Sequence, residues 1–192
     1  MKKFKDLSRE EKIDEALNYR AWRHYRNIKA RYLIALRNND ITTLEYFENM
    51  GGHFRQIIEN TYEFERAKLC GFTEPIYDEF DWASYRLDIV KEIEVCKSRI
   101  RIAKTPSGKF VCGVDHSTGN AGGGWYPSIY DKLHNTEKEA CEYGLEYLRS
   151  VMINGIEAGK TDSCGNYNSK LINDTLREIK KLRNPCVQLE LF

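Results

Sequence analysis

Long apolar runs are missing from this sequence: stretches such as Tyr32 to Leu36 fall far short of the roughly 18 residues that a membrane-crossing helix needs. No charged-then-apolar segment opens the chain, so the expectation is a cytoplasmic protein with no membrane partner. Proline is scarce, at 4 residues, and the 13 glycines follow no period, which excludes collagen-like and low-complexity classes. Charge of one sign is also lacking. Thirty Lys and Arg against 29 Asp and Glu leave a net charge of +1, which removes any global electrostatic case for nucleic-acid binding and leaves only local patches. The six cysteines contain no CxxC pair and the four histidines fall near no short-spaced ligand set, so neither a disulfide framework nor a structural zinc is expected.

What is present is a chain of 192 residues that is 41% hydrophobic and 31% charged, enough to bury a core in one domain or two small ones. Ser8 followed by Glu11 is a capping box, and apolar residues from Ile13 to Leu36 recur at helical spacing, predicting one long helix that Asn38, Asn39 and Asp40 end. A second helix is predicted from Thr42 or Thr43 to Leu69, kinked or broken at Gly51 and Gly52, so that residues 1 to 80 read as a helical hairpin with its connector. Asp81 is read as the N-cap of a third helix reaching about Ser98. Three short strands follow, Ile100 to Lys104, Lys109 to Asp115 and Trp125 to Tyr130, the last after a loop rich in glycine that is expected not to continue a strand. Asn135 or Thr136 caps a helix running to residue 154, which closes an α-β-β-β-α module over residues 81 to 154. Gly155 to Gly165 reads as a loop, Leu171 to Leu182 as an amphipathic helix within 155 to 183, and residues 184 to 192 as an extended tail. The fold class is α+β.

Catalytic signatures are weak. Gly155 to Thr161 has three residues between its glycines where a phosphate loop needs four, and it follows a helix rather than a strand. Asp115, His116 and Ser117 look like a triad written in one line, but neighbours along a strand point to opposite faces. Carboxylate spacing marks no metal or acid-base pair, so no catalytic residue, metal or cofactor is assigned, and a non-enzymatic role is favoured. From Arg20 to Arg37, in contrast, six basic residues and His24 occur without one acid. On a continuous helix Arg20, Arg23, His24 and Arg31 would share a face opposite Tyr25, Tyr32 and Leu36, and this face is the expected nucleic-acid contact, with an acidic protein as the alternative. Trp22 and Trp82 are expected in the core.

The last five residues read Gln188, Leu189, Glu190, Leu191 and Phe192, after Pro185. They resemble the bacterial DNA sliding-clamp-binding peptide, whose common form is Gln-Leu-[Ser/Asp]-Leu-Phe. Four fixed positions give a chance match of about 10⁻⁵ per position at ordinary residue usage. The resemblance implies that Gln188 hydrogen-bonds at a pocket rim while Leu189, Leu191 and Phe192 enter an apolar groove on the clamp, with an affinity near micromolar, about −8 kcal/mol. Residues Arg99 to Val151, carrying Gly108-Lys109-Phe110, Gly113, Gly122 to Gly124, Pro127 and Thr136 to Ala140, resemble a βββα module of uncharacterised phage and mobile-element proteins. That likeness implies a setting in DNA metabolism. The same α-β-β-β-α order is similar to a double-stranded-RNA-binding domain, but the last helix opens Glu137-Lys138-Glu139 where that family has a lysine cluster. The expected function is an accessory or regulatory protein of a phage or mobile element, with the clamp as partner and DNA as a second one. The alternatives are an interaction module that inhibits or adapts a host factor and, third, a nucleic-acid-processing enzyme.

Overall fold

The computed structural model describes residues 3 to 183, so the peptide of Gln188, Leu189, Leu191 and Phe192 lies outside the described residues. The chain divides between Tyr85 and Arg86 into two compact units. No described helix is long and apolar enough to cross a membrane.

The first unit is helical, but it has four helices where a hairpin of two was expected. The Ser8 hydroxyl accepts the Glu11 amide at 3.2 Å and the Glu11 carboxylate accepts the Ser8 amide at 2.6 Å, so the capping box starts helix α1, Arg9–Asn18. The expected continuation to Leu36 does not occur. Lys29 donates to the carbonyls of Tyr19 and Leu17 at 2.7 and 3.3 Å, satisfying acceptors that the end of α1 leaves open. A short 3-10 turn, Arg23–Tyr25, then leads into α2, Arg26–Asn38. Asn39 in the left-handed region ends α2, and the Asp40 carboxylate caps α3, Ile41–Glu48. The break at Gly51 and Gly52 follows as expected, and α4 spans Phe54–Leu69. A Cβ at Gly51 would stand 2.8 Å from the Gln56 side chain, which accepts the Gly52 amide.

Helix α2 contributes Ile28, Tyr32, Ala35 and Leu36 to the core, at the spacing of one helix face, where Phe4, Phe47, Phe54, Ile57 and Ile58 meet it. One polar group is buried with them. The Tyr32 hydroxyl donates to Glu48 at 2.9 Å, and Glu48 in turn accepts from Lys12 at 2.9 Å, so the partly buried carboxylate is paired and hydrogen-bonded. Burial and this neighbour raise the Tyr32 pKa above the ordinary phenol value.

The second unit corrects the sequence reading more sharply. No helix follows Asp81: residues Asp88–Val95 form strand β1, which pairs antiparallel with β2, Ser98–Lys104, through a two-residue turn whose Cys96 has φ 57°. Ile89, Val90, Ile93 and Val95 are β-branched, and strand pairing suits their stiff side chains better than a helix. Strand β3, Phe110–Ser117, pairs with β2, and β4, Gly122–Gly124, pairs with β3, giving four antiparallel strands in the order β1-β2-β3-β4. The glycines that were expected to interrupt a strand therefore make one, while Trp125 to Tyr130 is irregular. Close approach explains both. A Cβ at Gly124 would lie 2.5 Å from the Val114 carbonyl, and one at Gly113 would lie 2.5 Å from the Trp125 carbonyl.

Helix α5, Glu137–Gly159, starts at the expected Thr136 cap and runs past residue 154, absorbing the first part of the expected loop. Helix α6 is Ser169–Arg183. Both helices pack on one face of the sheet, where Ile100, Ile102, Cys112 and Val114 meet Leu145, Leu148, Met152 and Ile172. The five described cysteines are free, and burial pushes the Cys112 thiol up to about 12.

Gly144 sets how closely α5 sits on the sheet. A Cβ there would stand 2.7 Å from both the Cys112 sulfur and the Ile100 side chain, whereas at Gly155 the nearest atom is the flexible end of Ile172 at 3.2 Å. Gly144→Ala is expected to destabilise the protein by about 1 to 3 kcal/mol through overpacking, and Gly155→Ala by much less. Urea unfolding followed by circular dichroism measures both, and equal midpoints for the two variants would contradict the packing described.

Candidate nucleic-acid interface

The four expected contact residues do not share one helix face. Arg20 lies in the segment after α1, Arg23 and His24 lie in the 3-10 turn, and Arg31 lies within α2. Arg31 is engaged elsewhere: its guanidinium donates to both oxygens of Glu65 at 2.7 and 2.9 Å and sits 5.6 Å from the Phe47 ring. His24 packs its ring 4.0 Å from Tyr25 and 5.2 Å from Tyr62. That border is acidic, since burial together with the charges of Glu59 and Glu63 raises the Tyr25 pKa. Arg31 is thus taken up by Glu65, while His24 stays beside Arg23 in the turn with its ring against Tyr25 and Tyr62.

A different set takes their place. Arg20, Arg23 and Arg26 are exposed, and none has an ion-pair partner among the described residues. Arg20, Arg26 and Lys29 edge an open groove of about 520 Å³ whose apolar walls include Leu17, Ala30 and Leu33. No acid occurs between Ala16 and Asn39, so every charged residue that the segment itself gives to the groove and the turn is basic, with Glu59 and Glu63 of α4 bordering the turn at Tyr25. Trp22, expected in the core, is instead 72% exposed at this turn. The sequence pointed to Arg26 and Lys29 as part of the acid-free run, but the exposure of Trp22 depends on the helix break and carries no local signal of its own.

The triad-like run does not converge. Asp115 pairs with Arg101 at 2.6 Å, His116 packs 6.2 Å from the Tyr147 ring, and the Ser117 hydroxyl donates to the Gly119 carbonyl. Arg101 is buried between Glu92 and Asp115 with the Tyr126 ring 4.1 Å away, which is a structural use of its charge. Lys160, at the end of α5, pairs with Glu157 rather than opening a phosphate loop. Among the described residues no group of three His, Cys, Asp or Glu side chains could hold a metal.

Compared with protein-family models, with curated proteins and with solved structures, the chain matches none.

The pairing pattern has a direct stability consequence. Arg31→Ala is expected to cost up to about 1 kcal/mol, because the half-exposed Glu65 loses its partner, while Arg20→Ala, Arg23→Ala and Arg26→Ala leave the thermal midpoint unchanged. A pH dependence follows from two histidines. Burial lowers the pKa of His116, with Asp115 opposing, and burial and Lys132 lower that of His134, with Glu139 opposing. The unfolded chain therefore takes up these protons first, so stability held above about pH 6.5 declines as pH falls through the lowered folded values. Denaturant titrations at pH 7 and pH 5 are expected to differ, and the double variant His116→Gln, His134→Gln is expected to narrow the difference.

Proposed function

We propose that this protein is a non-enzymatic accessory factor of a bacterial phage or mobile element that docks on the DNA sliding clamp in the cytoplasm and holds a basic surface against nucleic acid. The observation that carries the reading is the terminal run Gln188, Leu189, Glu190, Leu191, Phe192, with its three apolar side chains and one amide in the clamp-peptide pattern. Each buried Leu or Phe contributes about 1.5 to 3 kcal/mol, and ordering the peptide takes part of this back, which leaves an affinity near micromolar. Arg20, Arg23 and Arg26, which have no ion-pair partner among the described residues, supply phosphate contacts that would be too weak alone but gain from tethering, because the clamp keeps DNA at high effective concentration.

A second reading, an interaction module that engages a host protein, has one observation in its favour. Phe80 is 69% exposed on a loop that is tied in place: Asp78 accepts the amides of Phe80 and Trp82, and the side-chain amides of Gln56 and Asn60 hold the Asp81 carbonyl. Asp81 stands in the left-handed region at φ 62°. With Glu74, Asp78, Glu79 and Asp81 nearby in sequence, this rigid ring suits an apolar pocket rimmed by Lys or Arg.

Calorimetric titration of purified bacterial sliding clamp tests the first reading. Micromolar binding is expected for the full chain and none for a form lacking Gln188 to Phe192, with the unfolding midpoint of the two forms equal. An intact protein that does not bind clamp would sink the proposal and leave the interaction-module reading in front.

A further inference from the structure

We propose that Trp22, flanked by Arg20, Arg23 and Arg26, is a stacking site for an unpaired base, so that the nucleic acid taken by this surface is single-stranded. The inference rests on the nucleic-acid part of the reading above and is independent of the clamp peptide. Its first ground is exposure. Every other aromatic residue from Tyr19 to Phe54 is at least half covered, and Tyr19, Tyr25, Tyr32, Phe47 and Phe54 are in ring contact with one another or with neighbours, whereas Trp22 is 72% exposed and has no ring contact among the described residues. Indole is the largest apolar side chain, and leaving it in water forgoes burial that the adjacent core could have supplied.

The second ground is that the ring is held out by pinned backbone. The Trp22 carbonyl accepts the Tyr25 amide at 3.0 Å, which closes the 3-10 turn, and Tyr25 is fixed edge-on against Tyr62 with centroids 5.1 Å apart. At the other end of the segment Lys29 grips the Tyr19 carbonyl and Tyr19 packs edge-on against Phe54. Trp22 therefore sits between two anchored tyrosines, and a ligand need not order the backbone that carries it.

The third ground is charge and its type. The groove and turn offer arginines spaced along the chain on both sides of one flat ring, with no acid between them. Cations that track a phosphate backbone beside an aromatic platform are what single strands require, since every base has a π-face once it is unstacked. A duplex offers the same phosphates but hides those faces, and reaching them would mean prising base pairs apart. Duplex binding would gain little from Trp22.

The test uses the full-length protein without clamp, so its failure cannot be confused with failure of the tail to dock. Fluorescence anisotropy of a labelled 15-nucleotide oligothymidylate and of a 15-base-pair duplex is measured at two salt concentrations. Tighter binding of the single strand is expected, with Trp22→Ala weakening it about 10- to 100-fold and Trp22→Phe retaining most of it. Each of Arg20→Ala, Arg23→Ala and Arg26→Ala should weaken binding and reduce the slope of log affinity against log salt by about 0.7. Equal affinity of wild type and Trp22→Ala for the oligonucleotide would overturn the proposal, as would a preference for duplex. Binding to anionic phosphatidylglycerol vesicles with none to the oligonucleotide would assign the surface to a membrane instead and overturn it too.

Discussion

The helical unit turns on one charge-assisted contact, the reach of Lys29 back to the main-chain carbonyls of Leu17 and Tyr19. A helix end leaves four carbonyls without partners, and an ammonium at that end both donates to them and suits the negative pole. Because the contact is made by a residue one turn into α2, it couples the end of α1 to the start of the next helix and directs the seven residues between them. Three consequences follow from it. Ile28, Tyr32, Ala35 and Leu36 can face the core as a helix of their own, Arg31 is carried to Glu65, and Arg20, Trp22 and Arg23 are left outside. One continuous helix would have satisfied the same sequence periodicity and given a different surface.

Much of the architecture is legible from local chemistry. Caps announce themselves because the side chain and the orphan amide are three residues apart, and Ser8 and Thr136 both start helices where the sequence places them. Strands β2 and β3 lie where the sequence places them, on either side of a Pro-Ser-Gly turn. The failures share a cause of another kind. Residues Trp82 to Val95 fit a helical period, but the outcome depends on β2 being available as a partner, which no window on the chain reveals. Gly122–Gly124 lacks every strand propensity and pairs because only glycine tolerates the Val114 and His116 carbonyls at that distance. The basic surface was legible as an acid-free run, but its membership was not, since a helical wheel assumes a helix without a break. The hydrophobicity of Trp22 points to the core, but that is a one-way rule for so large a side chain, and the ring is exposed.

The sheet unit uses charge differently. Arg101, buried on the sheet between Glu92 and Asp115, and Arg183, which reaches Glu146 from the last described turn of α6, are both paired cations. So are Arg99, Lys91 and Arg177. Against that background Arg20, Arg23 and Arg26 of the α1–α2 connection are distinguished by having no ion-pair partner among the described residues, and it is this contrast, rather than a net charge of +1, that supports the proposal of a binding surface there. In the proposed function the clamp-like peptide and the Trp22 surface would have separable tasks, one giving location and the other giving grip on a strand.

The most direct test of that division measures the affinity of the protein for free sliding clamp and for clamp loaded on primed single-stranded template, in the same low-salt buffer. The account predicts at least about tenfold tighter binding to the loaded clamp, because the second contact becomes intramolecular, with Trp22→Ala returning the affinity to that for free clamp. Identical affinities for free and loaded clamp would contradict it.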